Sequence, residues 1–201
     1  MLQGSLKNYN PMNLKTLKDF DVTQKRVLLR TDLNSDVEKG KVILSERIKE
    51  AALTINYLKK SKARIIILAH QGNKGKDDFL SLEAHAKFLN KYTKVSFVAD
   101  TIGEKAKKAI EKMKAGDALV LENVRFLDDE LDTQKEKNRL VKILVPLCDL
   151  YVNDAFSVCH RDQTSISLFP KYLPSCAVLL LERAISALEK ISIVNCLYIL
   201  V

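Results

Sequence analysis

The sequence predicts a three-layer α/β/α domain on a parallel, doubly wound sheet, and three observations carry that prediction. Five apolar runs each end at polar or ionisable residues: RVLLRTDLN (Arg26–Asn34), RIIILAHQG (Arg64–Gly72), VSFVAD (Val95–Asp100), ALVLENVRF (Ala118–Phe126) and LYVNDAF (Leu150–Phe156). A helix-like stretch follows each run. The runs are continuously rich in Val, Ile and Leu, which is the pattern of parallel strands buried on both faces. A βα unit repeated five times winds such a sheet in the Rossmann-like manner.

The elements follow in order. Residues 1–11 have little apolar pattern and read as a disordered lead, with the domain spanning 12–174. After the first strand, SDVEKGK is a polar loop around Gly40. Ser45 can cap a helix over Glu46–Lys60, with Ile48, Ala51, Ala52, Ile55 and Leu58 as its apolar stripe. Thr101 and Glu104 have capping-box spacing for a helix through Lys114, and Gly116–Asp117 then turns the chain into the fourth strand. Thr133 and Glu136 repeat that spacing before a helix ending near Pro146. Ser157–Pro174 reads as a long polar loop. Ser175 reads as the start of a last helix over 175–191, and the tail, 192–201, is apolar and strand-like.

Composition narrows the function classes. A chain of 201 residues, 47% of them hydrophobic, suffices for one α/β domain with a real core. The net charge of +8 suits an anionic partner, either small phosphates or nucleic acid, although solvated surface lysines explain much of it equally well. Cys148, Cys159, Cys176 and Cys196 are scattered with no C-x-x-C pair, which argues against a metal site and fits a reducing, cytoplasmic setting. No apolar stretch reaches the ~20 residues needed to span a bilayer, and the first residues lack the core of a signal peptide.

Ligands of such sheets bind outside the carboxyl ends of the strands. Asp32 and Asn34 share one side of a strand end, where a carboxylate and an amide grip a hydroxyl or close an Asx turn. Arg47 lies in a helical first turn, where the macrodipole disfavours a cation unless an anion is met there; the alternative is an exposed surface arginine. His70-Gln71-Gly72 ends the second strand and permits close approach of a phosphate. Arg125 and Arg161 offer planar forks for phosphate oxygens. Asn153-Asp154 reads as structural, and His85 as a surface or partly buried histidine. No paired general acid and base is apparent, and no activated nucleophile. The pattern suits positioning and charge stabilisation, as phosphoryl transfer needs.

The strings RVLLRTDLNSD, LAHQG, SLEAHAKFL, VLENVRF and YVNDAFSVCHR stand in the order and spacing of the amino-terminal half of phosphoglycerate kinase. From about Met12 to Glu189 the chain resembles that family, and HQG with SLEAHA resembles its archaeal branch. The resemblance implies a six-stranded sheet, so one strand, a short one near Ser167, escapes pattern reading. It implies that Asp32, Leu33 and Asn34 bind the hydroxyl and carboxylate end of the substrate, and that Arg47 is catalytic, stabilising the phosphoryl group in flight. His70, Gln71, Gly72 and Asn73 fall at the phosphate loop, Arg125 and Arg161 clamp the phosphate, and His160 stands beside them.

The chain departs from the family twice: Asp36 stands where the family has Pro, and Asn73 where it has Arg. Lys74 and Lys76 follow as point charges, and restoring an arginine at 73 is expected to tighten phosphate binding. The implied reaction is phosphoryl transfer between ATP and 3-phosphoglycerate, giving 1,3-bisphosphoglycerate and ADP. Mg-ATP/ADP serves as co-substrate on a second, nucleotide-binding domain. Residues 192–201 would open that domain, and the sequence ends there. The expectation is a phosphoglycerate-binding half, inactive alone and binding no nucleotide or metal, with no nucleic-acid or membrane partner, monomeric but prone to associate through its tail. The alternatives are a non-catalytic half that binds a phosphorylated acid, and a basic nucleic-acid-binding module, which lacks any RNA-recognition or helix-turn-helix signature.

Overall fold

The computed structural model describes residues 15–133 and 138–177. Six strands form one sheet: β1 (Arg26–Thr31), β4 (Arg64–Leu68), β5 (Ser96–Phe97), β6 (Ala118–Val120), β7 (Leu150–Asp154) and β8 (Ser175–Ala177), in the order β5-β6-β4-β1-β7-β8. Every pairing in it is parallel. The remaining two strands, β2 (Val37–Glu38) and β3 (Lys41–Val42), make a small antiparallel hairpin.

Strand periodicity divides the core in two. Val27, Leu29, Ile65, Ile67, Val120, Leu150 and Val152 face one cluster, while Leu28, Ile66, Leu68, Leu119 and Tyr151 face the other. Helices α1 (Glu46–Lys60) and α2 (Glu83–Leu89) cover the first face through Ile48, Ile55, Leu58 and Leu89. Helices α3 (Glu104–Glu111), α4 (Arg139–Leu144) and α6 (Phe169–Tyr172) cover the second through Ile110, Leu140, Leu144 and Phe169. The apolar stripe expected of α1 is buried along its length. Truncating Ile55, which is 0% exposed, to Ala costs about 2–5 kcal/mol in such a core.

Several boundaries differ from the sequence reading. The sixth strand is Ser175–Ala177, not a segment near Ser167, where α5 (Thr164–Ser167) lies. Ser175 therefore begins no helix: Tyr151 pairs with Ser175 and Val152 with Cys176, and burial of Cys176 against the sheet overrides the cap-like Pro-Ser signal. The expected helix beyond 177, the tail and the lead 1–11 lie outside the described residues. The SDVEKGK loop is a hairpin, turned by Lys39 (φ 50°) and Gly40 (φ 73°).

The caps are also reassigned. At α3 the Asp100 carboxylate accepts from Gly103 N and Ala106 N, while the Thr101 hydroxyl bonds Glu122 O, so no Thr101–Glu104 box forms. At α4 Asn138 is the cap, accepting from Val141 N, and Thr133 instead donates to Asp162; Glu136 lies outside the described residues. Ser45 occupies the N-cap of α1, but its hydroxyl pairs with that of Ser35. The Ser157–Pro174 segment is not an open loop, because α5 and α6 fill much of it.

The winding reverses beside β1. From β1 the chain runs through α1 to β4 on one side, and β7 later returns to the other side. Crevices at such switch points, outside the strands' carboxyl ends, are where open α/β sheets bind ligands. A cavity of about 240 Å³ lies there, lined in part by Thr31, Asp32, Arg47, Asp154 and Ser157.

Candidate functional site

The end of β1 places Asp32 and Asn34. One Asp32 oxygen accepts from Asn34 N at 3.0 Å, so the Asx turn is present. The other accepts from the Ser157 hydroxyl and lies 3.5 Å from Arg47 Nη1. Arg47 also donates to Asn34 O at 3.1 Å, which holds the half-exposed guanidinium over this turn. Asn34 Oδ1 accepts from Gly72 N at 2.8 Å. That bond fixes the amide and leaves Nδ2 without a partner among the described residues. Leu33, between them, is buried in the core and anchors the turn.

The end of β4 places His70, Gln71, Gly72 and Asn73. Gln71 is 0% exposed, and its amide works inside the loop. It accepts from Ser35 N (2.8 Å), donates to Ser35 O (2.9 Å) and Asp78 O (3.2 Å), and meets His85 Nε2 at 2.9 Å. His85 is accordingly fully buried, beyond the surface or partly buried position expected from sequence, and burial lowers its pKa to about 4. Gly72 has φ 64°, and a Cβ there would sit 2.1 Å from Asp78 O, so only glycine fits this bend.

Arg125 follows β6 in a short 3-10 turn, capped by Asn123, whose Oδ1 accepts from Arg125 N. The Asn123 amide also donates to Gln71 O and Leu80 O, both at 2.8 Å, tying this loop to the previous one. Arg125 Nη1 donates to Gly72 O (2.6 Å) and Asn73 Oδ1 (2.9 Å). His160 and Arg161 lie exposed past the 3-10 turn that follows β7.

The charges converge. Burial, and then the cationic fields of Arg30, Arg125, Arg161 and Arg47, push the His70 pKa down to about 2, so His70 is neutral. Burial and the charges of Arg161 and Arg30 likewise lower Arg125. A site whose cations depress one another is poised to receive an anion.

Sequence reading missed three members of this region. Arg30 is 0% exposed inside the sheet. Its fork donates to Ser165 Oγ (2.8 Å) and Thr31 O (2.6 Å) and lies 2.9 Å from His70 Nδ1. Glu130, also fully buried, accepts from Ser165 N and Oγ, and burial raises its pKa against the opposing field of Arg30. Ser157 braces Asp32. The available signal was Arg30 itself, a cation inside a run read as buried on both faces. Asp154, at the end of β7, is 4% exposed, and its Oδ1 has no hydrogen-bond partner among the described residues. Burial raises its pKa to about 7, against a Thr54 hydrogen bond. Among the described residues no cluster of His, Cys, Asp and Glu could hold a metal ion, and no helix is long and apolar enough to cross a membrane.

The fold and the edge together define a parallel, doubly wound α/β domain that gathers cations at a strand-end crevice. The phosphoglycerate kinase family model matches residues 17–195, and the chain belongs to that family. It is 44% identical over 188 residues to the phosphoglycerate kinase of Sulfurisphaera tokodaii, covering 90% of this chain and 45% of the relative. The phosphoglycerate kinase of Saccharolobus solfataricus is 44% identical, covering 90% and 46% respectively. The crystal structure of phosphoglycerate kinase from Pyrococcus horikoshii OT3 superposes with a TM-score of 0.80 at 37% identity, over 87% of this chain and 45% of that one. The chain thus spans about half the length of the curated relatives it matches, and its archaeal wording agrees with them.

Proposed function

We propose that this chain supplies the phosphoglycerate-binding half of a phosphoglycerate kinase, working in reversible phosphoryl transfer between ATP and 3-phosphoglycerate. The observation that carries the reading is the gathering of Arg47, Arg125 and Arg161 around a neutral His70 at one sheet edge, each near enough for its charge to act on the imidazole, beside the braced Asp32 and Asn34. Asp32 accepts from the substrate hydroxyl, and the Asn34 Nδ2 donates to its carboxylate end. His70, Gly72, Asn73, Arg125, His160 and Arg161 form the phosphate side, while Leu33 and Gln71 hold the loops that carry them.

The substrate carboxylate is already an anion, so its attack on the γ-phosphorus needs no base. A carboxylate O–P bond forms as the bond to the bridging oxygen of ADP breaks. Arg47 sits over the Asp32–Asn34 turn, where it can offset charge on the transferring group. Mg-nucleotide is the co-substrate, and the described residues support the acid side of the reaction only. Unpaired Cys148, Cys159 and Cys176 support a reducing, cytoplasmic setting.

Calorimetric titration of the chain with 3-phosphoglycerate tests the reading, with glycerate and inorganic phosphate as controls. Saturable binding, tighter than that of either control, is expected. Binding no better than inorganic phosphate overturns it.

A further inference from the structure

Gln71 clamps the backbone of Ser35 from beneath the site. Its Oε1 accepts from Ser35 N at 2.8 Å, and its Nε2 donates to Ser35 O at 2.9 Å. A backbone N–H beside a backbone C=O admits only one orientation of a primary amide, so Oε1 is fixed as the acceptor. His85 Nε2 lies 2.9 Å from that same oxygen. An amide oxygen cannot donate, so the imidazole proton of His85 sits on Nε2 and is given to Gln71.

This donor is an expensive one. His85 is 0% exposed in α2, and its Nδ1 is enclosed with no hydrogen-bond partner. Burial outweighs the influence of the Ser81 backbone, which favours the cation, so the ring is neutral and Nδ1 keeps an unmet lone pair. An unmet buried acceptor destabilises a fold, and a leucine in that place would carry none. The imidazole is explained by what its one donated proton holds.

That proton reaches Asn34 through Ser35, the next residue. Asn34 Oδ1 accepts from Gly72 N, and Nδ2 has no partner among the described residues. Asn34 is half-buried, and its Nδ2 is not shut off from solvent. The phosphate side of the site has braces of its own. Arg125 donates to Gly72 O, and the Asn123 amide donates to Gln71 O and Leu80 O. Those contacts run to backbone carbonyls and do not need the Gln71 side chain.

We propose that His85 is a positioning residue of the site, which by donating from Nε2 to Gln71 Oε1 locks the clamp on Ser35 and so aims Asn34 Nδ2 at the carboxylate end of a phosphorylated acid. The identity of that acid rests on the phosphoglycerate reading.

The test titrates the full chain and its variants with 3-phosphoglycerate and with inorganic phosphate by calorimetry. His85→Leu should bind 3-phosphoglycerate roughly tenfold more weakly, about one hydrogen bond to a charged group, and inorganic phosphate equally well. Its thermal midpoint should match or exceed that of the unsubstituted chain. His85→Gln, whose Nε2 can donate to the same oxygen, should restore phosphoglycerate affinity. In an Asn34→Ala background His85→Leu should have no further effect on that affinity. Unchanged phosphoglycerate affinity, an equal loss for both ligands, full additivity with Asn34→Ala, or a midpoint well below that of the unsubstituted chain overturns the proposal. Spectra of the ¹⁵N-labelled chain without ligand supply a readout independent of the substrate. In His85→Leu the Ser35 backbone N–H and the Asn34 side-chain amide, identified by its loss in Asn34→Ala, should shift. Signals that stay in place overturn the proposal. If they shift while the unsubstituted chain binds 3-phosphoglycerate no better than phosphate, the positioning role stands and the phosphoglycerate reading fails.

Discussion

Arg30 Nη2 lies 2.9 Å from His70 Nδ1, and this contact settles the state of the histidine. A guanidinium only donates, so Nδ1 must accept, and the single imidazole proton then sits on Nε2. His70 thus faces the site as a neutral N–H donor, in keeping with a pKa pushed down to about 2 by burial and by the surrounding arginines. Arg30 in turn is oriented by Ser165, whose hydroxyl also donates to Glu130. A chain of buried polar groups therefore runs from Glu130 to the mouth of the site.

Arg30→Met should destabilise the domain by about 3–5 kcal/mol, because it leaves Glu130 buried without its opposing charge. The double variant with Glu130→Gln should recover part of that loss. Urea unfolding of the single and double variants measures the coupling. Strict additivity would show that the two groups are energetically independent.

Arg125→Ala should weaken phosphoglycerate binding by about 1.5–3 kcal/mol, the worth of a charge-assisted contact. Calorimetry on both chains reads the difference, and equal affinities would remove Arg125 from the site.

Gly72→Ala should cost about 2 kcal/mol or more. The φ of 64° strains any L side chain, and the Cβ would meet a backbone carbonyl 2.1 Å away, which cannot swing aside. Thermal unfolding measures the loss, and an unchanged midpoint would mean that the loop rebuilds cheaply.

Asp154 should make stability fall as pH rises. Its folded pKa of about 7 lies above the unfolded value near 3.9, so the native state holds an extra proton between them. Stability is then lost progressively from about pH 4 to pH 7, and the penalty persists above pH 7. Asp154→Asn should be more stable than the parent by about 2–4 kcal/mol at pH 8 and nearly equal at pH 4. Denaturant midpoints at both pH values decide it, and a difference independent of pH would mean that Asp154 titrates normally.

Much of the architecture was legible because buried parallel strands must be apolar on both faces. RVLLR, RIIIL and LYV could do little else, and the stripe of α1 followed from its period. The short strand Ser175–Ala177 was not legible, because three residues carry too little pattern. Only pairing with Tyr151–Asn153 makes them a strand. The caps show the same limit: Thr101 and Thr133 have the right spacing, but Asp100 and Asn138 lie closer to the free N–H groups.

The sequence by itself determined the class of sheet, the strand ends at which its polar and cationic residues gather, and the family. Each of these is written in local runs and their order. Tertiary structure alone decided how the site residues are spent. Gln71, Asn123 and His85 are turned inward because loops from three strands meet and must satisfy each other's buried polar groups. Arg30 and Glu130, a hundred positions apart in the chain, are joined through Ser165. Asn73 acquires an arginine partner from another strand end. Such assignments depend on distances across the sheet, and no window of sequence contains them.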